Sequence, residues 1–224
     1  FICDRLEALG IDYQKGDADL RYVLAVVNPE KSETLALRAD IDALPIQEEN
    51  EHDYKSQVPG VMHACGHDVH TTCLLGALEI IQEIKDVVPY RILGIFQPAE
   101  EKLPGGAGLL IKKGILQKYQ PKFILGQHVH PPLNTGKIGM KSGPYMASAD
   151  EIRIKIIGQG GHAALPHQSI DPIHMVGVFI QQIQSIMSRM KDPTIPGVLT
   201  FGKIWSKGGA TNVIPSVVHL EGTL

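Results

Sequence analysis

Residues 69–96 read VHTTCLLGALEIIQEIKDVVPYRILGIF. From Val69 to Ile84 the residues Leu74, Leu75, Leu78, Ile81 and Ile84 recur at helical spacing and predict a helix with one apolar stripe. Arg91 to Phe96 is then a short apolar run, the pattern of a buried strand. The same alternation extends outward on both sides. Tyr22 to Val27, Thr34 to Leu37 and Phe123 to Leu125 are further short apolar runs bounded by polar or turn residues, and Gly106 to Lys113 predicts a second, shorter helix. An opening helix is predicted by Ile2, Leu6 and Leu9, with Gly10 placed for a left-handed cap. Strands alternating with helices predict an α/β layer with a largely parallel sheet.

From about Tyr145 the pattern differs. Glu151 to Ile156 alternates polar and apolar residues strictly, as a strand with one wet face does. An amphipathic helix is predicted from Asp171 to Met190, with Ile173, Val176, Ile180, Ile183 and Met187 as its buried stripe. Two strand patterns follow, Gly197 to Trp205 and Ile214 to Leu220, separated by a glycine turn at Lys207-Gly208-Gly209. This is a compact α+β unit. A boundary near Ser142-Gly143-Pro144 divides the chain into residues 1–143 and 144–224. The whole length, 224 residues, is about one and a half typical domains.

Composition narrows the function classes. With 43% hydrophobic residues, 20% charged residues and a net charge of −3, the chain has the profile of a soluble globular protein, not of a disordered, collagenous or coiled-coil one. No uncharged apolar run approaches the roughly 18 to 20 residues that cross a bilayer, and Phe1-Ile2-Cys3-Asp4-Arg5 carries no signal-peptide pattern. There is no clustered basic face for nucleic acid, so a small-molecule partner is expected. Three scattered cysteines, an odd number, fit a reducing cytoplasm better than a disulfide framework.

Three polar clusters, Arg38-Ala39-Asp40-Ile41-Asp42, Gln97-Pro98-Ala99-Glu100-Glu101 and Gln127-His128-Val129-His130, each follow a predicted strand. Ligands of open α/β sheets bind outside the carboxyl ends of the strands, so the three are expected to converge on one crevice. A fourth cluster, Met62-His63-Ala64-Cys65-Gly66-His67-Asp68-Val69-His70, precedes the long helix. If this segment is extended, His63, Cys65 and His67 share one face. The competing reading is a buried cysteine beside helix-capping residues, with Asp68 as the cap. Cysteine, histidine and carboxylate together suit zinc, while the carboxylate share leaves manganese or cobalt open. Such a site becomes hydrolytic when one carboxylate stays free to take a proton from water whose pKa a metal has lowered to about 7. Glu100 and Glu101 offer that division of labour.

Taken together, LRADIDALP at residues 37–45, MHACGHD at 62–68, FQPAEE at 96–101 and GGHAA at 160–164 resemble, in order and spacing, the amidohydrolase branch of the aminoacylase and carboxypeptidase family of dinuclear metallopeptidases. That branch includes hippurate hydrolases, N-acetyldiaminopimelate deacetylases and plant auxin-conjugate hydrolases. The resemblance covers essentially the whole chain and is specific for the family rather than for a substrate. It implies a catalytic domain, incomplete here, with an inserted α+β lid and dimerisation domain. It implies Cys65, His67, Glu101 and His128 as ligands of two divalent ions, with Cys65 bridging them and Glu100 as general base. Asp40 and Asp42 stand where many relatives carry a His-x-Asp motif, and a site-shaping role is expected for both, with His130 supporting a ligand. In the second unit His162 would stabilise the oxyanion, reaching into a partner subunit's site, and Asn212 would contact substrate. His63, His70 and His167 have no assigned role.

The implied reaction is cleavage of the amide bond of N-acyl amino acids. A dipeptidase or carboxypeptidase, or a non-catalytic metal-binding or dimerising fragment, are the alternatives. The family takes a further metal-binding histidine from a catalytic segment after the lid, and no residues here match it. The 224-residue chain by itself is therefore expected to bind metal poorly and to hydrolyse little.

Overall fold

Five strands build the first half of the protein: β1 (Asp12–Lys15), β2 (Val23–Val27), β3 (Thr34–Asp40), β4 (Arg91–Gln97) and β5 (Pro121–Gly126). They form one sheet in the order β1-β2-β4-β3-β5. β3 is parallel to both β4 and β5, while β2 is antiparallel to β4 and to β1. Only β2 runs against the rest, so the sheet is largely parallel, in keeping with the α/β expectation. The computed structural model describes residues 1–207 and 209–224. It separates into two units, Phe1–Ile138 and Gly139–Leu224.

Helices cover both faces of the first sheet. α1 (Ile2–Ala8) and α2 (His67–Glu83) bury Leu6, Leu74, Leu75 and Leu78 against Val23, Ala25 and Phe96. On the other face α3 (Gly106–Lys112) and α4 (Ile115–Tyr119) bury Leu110 and Ile115 against Leu24, Leu93 and Ile95. Burial on both faces is why β2 and β4 read as continuous apolar runs rather than alternating ones. Gly94 lets α2 approach the sheet: a Cβ there would lie 2.8 Å from Leu78 Cδ1. Leu78 is fully buried at this contact. Leu78→Ala is expected to lower unfolding stability by about 2 to 5 kcal/mol, read as a lower urea midpoint at unchanged m-value.

Several boundaries differ from the sequence reading. α2 begins at His67 rather than Val69, because Gly66 adopts φ 85° and starts the helix there; Ile84, at the other end, lies outside it and is exposed. β3 continues beyond Leu37 to Asp40. β1 and α4 were not anticipated: β1 is mostly exposed and polar, and α4 is five residues long. The apolar run in β5 is not a buried strand, since Phe123 is 66% and Leu125 64% exposed. β5 is the edge of the sheet and has a strand neighbour on one side only.

The second unit holds a three-stranded antiparallel sheet, ordered β6-β10-β8, made by β6 (Glu151–Ile157), β8 (Thr200–Ser206) and β10 (Val217–Thr223). β7 (Gly161–His162) and β9 (Val213–Ile214) pair separately. α5 (Pro172–Ser185) starts at Asp171, whose carboxylate accepts from the amides of Ile173 and His174. Val176 of α5 is buried with Val218 and Leu220, and Ile154, Ile156, Ile180 and Phe201 pack around them. Ile173, expected in this stripe, is exposed, and the segment Ile186–Met190 winds as a π-helix. The strand pattern from Ile214 to Leu220 is split: Ile214 pairs in β9, Val217 starts β10, and Pro215, which has no amide hydrogen to donate, stands between them. The expected glycine turn includes Gly208, which lies outside the described residues. Among the described residues no helix is long and apolar enough to cross a membrane.

Candidate metal centre

Parallel pairing brings three strand ends to one edge. Asp40 at the end of β3 is in register with Gln97 at the end of β4, and Arg38 is in register with Gly126 at the end of β5. The chain therefore delivers Asp42, Glu100, Glu101 and His128 within a few residues of adjacent strand ends, the usual ligand crevice of an α/β sheet. α2 contributes His67 from its first position, with Cys65 two residues ahead.

The ligand-type atoms of Cys65, His67 and His128 lie within 4.8 Å of one another, and so do those of His67, Glu100 and Glu101. His67 belongs to both groups and is 99% buried, with 1% of its surface exposed. Its Nδ1 lies 3.0 Å from the Asp42 carbonyl, which can only accept, so Nδ1 carries the proton. Nε2 is thereby left as a bare lone pair, buried and without a hydrogen-bond partner, 3.9 Å from Glu101 Oε1. His128 repeats the arrangement: Nδ1–H donates to the Val129 carbonyl at 2.8 Å, and Nε2 lies 3.4 Å from Cys65 Sγ. An imidazole that donates from one nitrogen keeps an unprotonated lone pair on the other, which is the form that binds a metal. Two such rings, one thiol and two carboxylates fit a divalent ion of the zinc or manganese type.

A layer of hydrogen bonds holds these donors. Asp40 Oδ2 accepts from Arg38 at 2.8 Å and its Oδ1 accepts from His70 Nδ1 at 2.6 Å. Burial opposes ionisation of Asp40, but the hydrogen bond from His70 and the charge of Arg38 together hold its carboxyl below the ordinary value. Asp42 grips two site residues, accepting from His67 Nδ1 through its carbonyl and from the Glu101 amide through Oδ2 at 3.0 Å. Its Oδ1 is buried without a hydrogen-bond partner, 3.4 Å from His67 Nδ1 and so beside the protonated nitrogen of that ring. Burial, with the adjacent Glu101 and the negative charges of Glu100 and Asp40, pushes the Cys65 thiol up to about 11. A cation among the same groups reverses that direction and draws out the thiolate.

The expected common face of His63, Cys65 and His67 is absent. The segment is not extended: Gly66 turns it into α2, and His63 is exposed. Nor does Asp68 cap the helix, since Gly66 occupies that position and no side chain bonds to it. His130 is exposed and, among the described residues, joins none of the donor groups. The sequence reading missed His70, which is fully buried between Asp40 and the Val129 amide. Its spacing of three from His67 on one helix was the available signal. In the second unit His162 lies opposite Val213 in the β7–β9 pair, and Ala163 N–H donates to the Asn212 carbonyl at 3.0 Å, so His162 and Asn212 are neighbours. His162 Nδ1 accepts from the Ala164 amide at 3.1 Å, which leaves Nε2 as the protonated nitrogen of the neutral ring.

The N-acyl-L-amino acid amidohydrolase of Geobacillus stearothermophilus is 40% identical over 224 residues, covering 100% of this chain and 60% of the relative. The N-acetyldiaminopimelate deacetylase of Bacillus subtilis (strain 168) is 43% identical over 196 residues, covering 88% of this chain and 51% of the relative. A solved dinuclear metal-binding peptidase of Bacillus subtilis superposes with a TM-score of 0.69 at 34% identity, covering 99% of this chain and 56% of that one. The chain thus spans between about half and three-fifths of the length of these relatives. The model of peptidase family M20/M25/M40 matches residues 36–217, a span that contains every donor of the cluster, and the chain belongs to that family.

Proposed function

We propose that the protein is a metal-dependent amidohydrolase that cleaves the amide bond of N-acyl amino acids, releasing a carboxylic acid and an amino acid. The observation that carries this reading is the bare, buried Nε2 of His67, facing a thiol, a second imidazole and two carboxylates. Amidohydrolase and deacetylase relatives at 40% and 43% identity support the reaction class. Cys65, His67, Glu101 and His128 would hold two divalent ions, zinc or manganese, with cobalt also suited to the donor set. When bound, the ions supply Lewis acidity and lower the pKa of water to about 7.

The remaining chemistry belongs to the side chains. Glu100 takes the proton of the attacking water and returns it to the departing amine nitrogen, a role for which a free carboxylate beside the ligands is required. Glu101 is the ligand of the pair because its carboxylate lies 3.9 Å from His67 Nε2. His162, protonated at Nε2, donates to the oxyanion as the carbonyl becomes tetrahedral. Asn212, its neighbour, binds the substrate. Asp40 and Asp42 hold ligands and the general base segment in place. The second unit serves as lid and as the contact of a homodimer in which His162 completes the partner's site. Free Cys3, Cys65 and Cys73 fit a cytoplasmic protein.

Metal analysis and a substrate screen of the intact gene product test the proposal together. Close to two ions per chain are expected, with turnover of N-acetyl or N-benzoyl amino acids. Turnover confined to dipeptides would move the assignment to a dipeptidase. A metal-free protein that hydrolyses neither would overturn it.

A further inference from the structure

We infer that His70 is a positioning residue whose imidazole, donating from Nδ1 and accepting at Nε2, couples the Asp40 carboxylate to the Val129 backbone and so fixes the His128 ring. The inference rests on the metal-centre reading above and adds a residue to it. His70 is 0% exposed on the second turn of α2. Its Nδ1 is 2.6 Å from Asp40 Oδ1, and its Nε2 accepts the Val129 amide hydrogen at 2.9 Å. Because the amide can only donate, Nε2 is the acceptor and the proton sits on Nδ1. Both nitrogens are then committed, and so are both oxygens of Asp40. The triad Asp40, His67 and His70 has ligand-like spacing, but both nitrogens of His70 are taken by hydrogen bonds, whereas Nε2 of His67 has no hydrogen-bond partner.

The consequence for His128 follows from the other end of the same residue. Val129 gives its amide to His70 and its carbonyl to His128 Nδ1. One path of hydrogen bonds therefore runs from Gln97 through Arg38, Asp40, His70 and Val129 to His128. His128 is exposed, and its neighbour Val129 is also confined by Gly66, where a Cβ would lie 2.2 Å from Val129 Cγ2. An exposed ligand ring loses rotational freedom only if its backbone is held, and partners of this kind govern affinity in metal sites.

Two variants of the intact gene product separate the possibilities. A glutamine amide keeps one donor and one acceptor, cannot ionise and offers no ligating nitrogen. Leucine fills similar volume with neither. Chelator competition with zinc is expected to leave His70→Gln within a few fold of the wild type, and to weaken His70→Leu by roughly 10- to 100-fold. Equal losses in both variants would show His70 to be a ligand. Equal retention would show it to be filler, and either result overturns the proposal. Nitrogen-15 NMR of the unmutated, metal-free protein gives a reading independent of variant folding: a proton on Nδ1 and none on Nε2 are expected at His70, and a proton on Nε2 overturns the proposal. The two readings fail differently, because a wild type without zinc affinity removes the metal centre, whereas a wrong tautomer removes only the role of His70.

Discussion

Glu100→Gln is expected to abolish hydrolysis of N-acyl amino acids while leaving the metal content close to that of the wild type. The amide preserves volume and can still hydrogen-bond, but it cannot take a proton from water at neutral pH. Loss of a general base lowers kcat by about 100- to 10,000-fold, with KM little changed if the residue acts only in the chemical step. The adjacent Glu101 sets the contrast. Its carboxylate lies 3.9 Å from His67 Nε2 and its amide is held by Asp42, so a change there should lower metal content as well. Elemental analysis beside an amine-release assay distinguishes the two positions. Retained turnover in Glu100→Gln would remove Glu100 as base, and metal loss equal to the activity loss would make it a ligand.

The division of roles between neighbouring glutamates shows what the sequence could and could not convey. Three of the four polar clusters are legible because parallel strands end together: once β3, β4 and β5 are recognised as strands, the residues following them must share an edge. The strands themselves are legible where burial is two-sided, as in β2 and β4. β1 escapes notice because its pattern, Asp12-Tyr13-Gln14-Lys15, carries no apolar alternation; its place is fixed by pairing with β2. β3 runs further than its apolar residues suggest because Arg38 and Asp40, polar and inside the strand, neutralise each other.

The local geometry around Cys65 was less legible. Period-two reasoning grouped His63 with Cys65 and His67, but one residue in a left-handed conformation, Gly66, replaces that period with the helical one. From there His67 and His70 share a helix face, and the latter turns inward to Asp40. Nothing in composition marks such a histidine as buried. Only the pairing of α2 with the end of β3 does so, and that pairing is a tertiary fact. The cluster thus has an inner set of donors that motifs disclose and an outer set of hydrogen bonds that packing discloses.

Cys65→Ala is expected to deplete the intact protein of metal and to remove about one proton from those released on metal uptake. Four donors become three, and the lost one is the sulfur that lies 3.4 Å from His128 Nε2. In the metal-free protein the thiol, pushed up to about 11 by burial and by the surrounding carboxylates, is protonated at neutral pH. A metal must displace that proton, so apparent affinity rises with pH, by about tenfold per pH unit for each proton displaced. Calorimetric titration of metal at pH 8 in two buffers of different ionisation enthalpy counts the protons, and the variant should release about one fewer. The sign also appears in the fold without metal. A thiol raised from 9.0 to about 11 favours the folded state below pH 9, and that contribution is lost as the pH rises through 11. Alanine should abolish this alkaline dependence. Unchanged metal content in Cys65→Ala would make the sulfur structural, and unchanged proton release would assign the displaced proton to another donor.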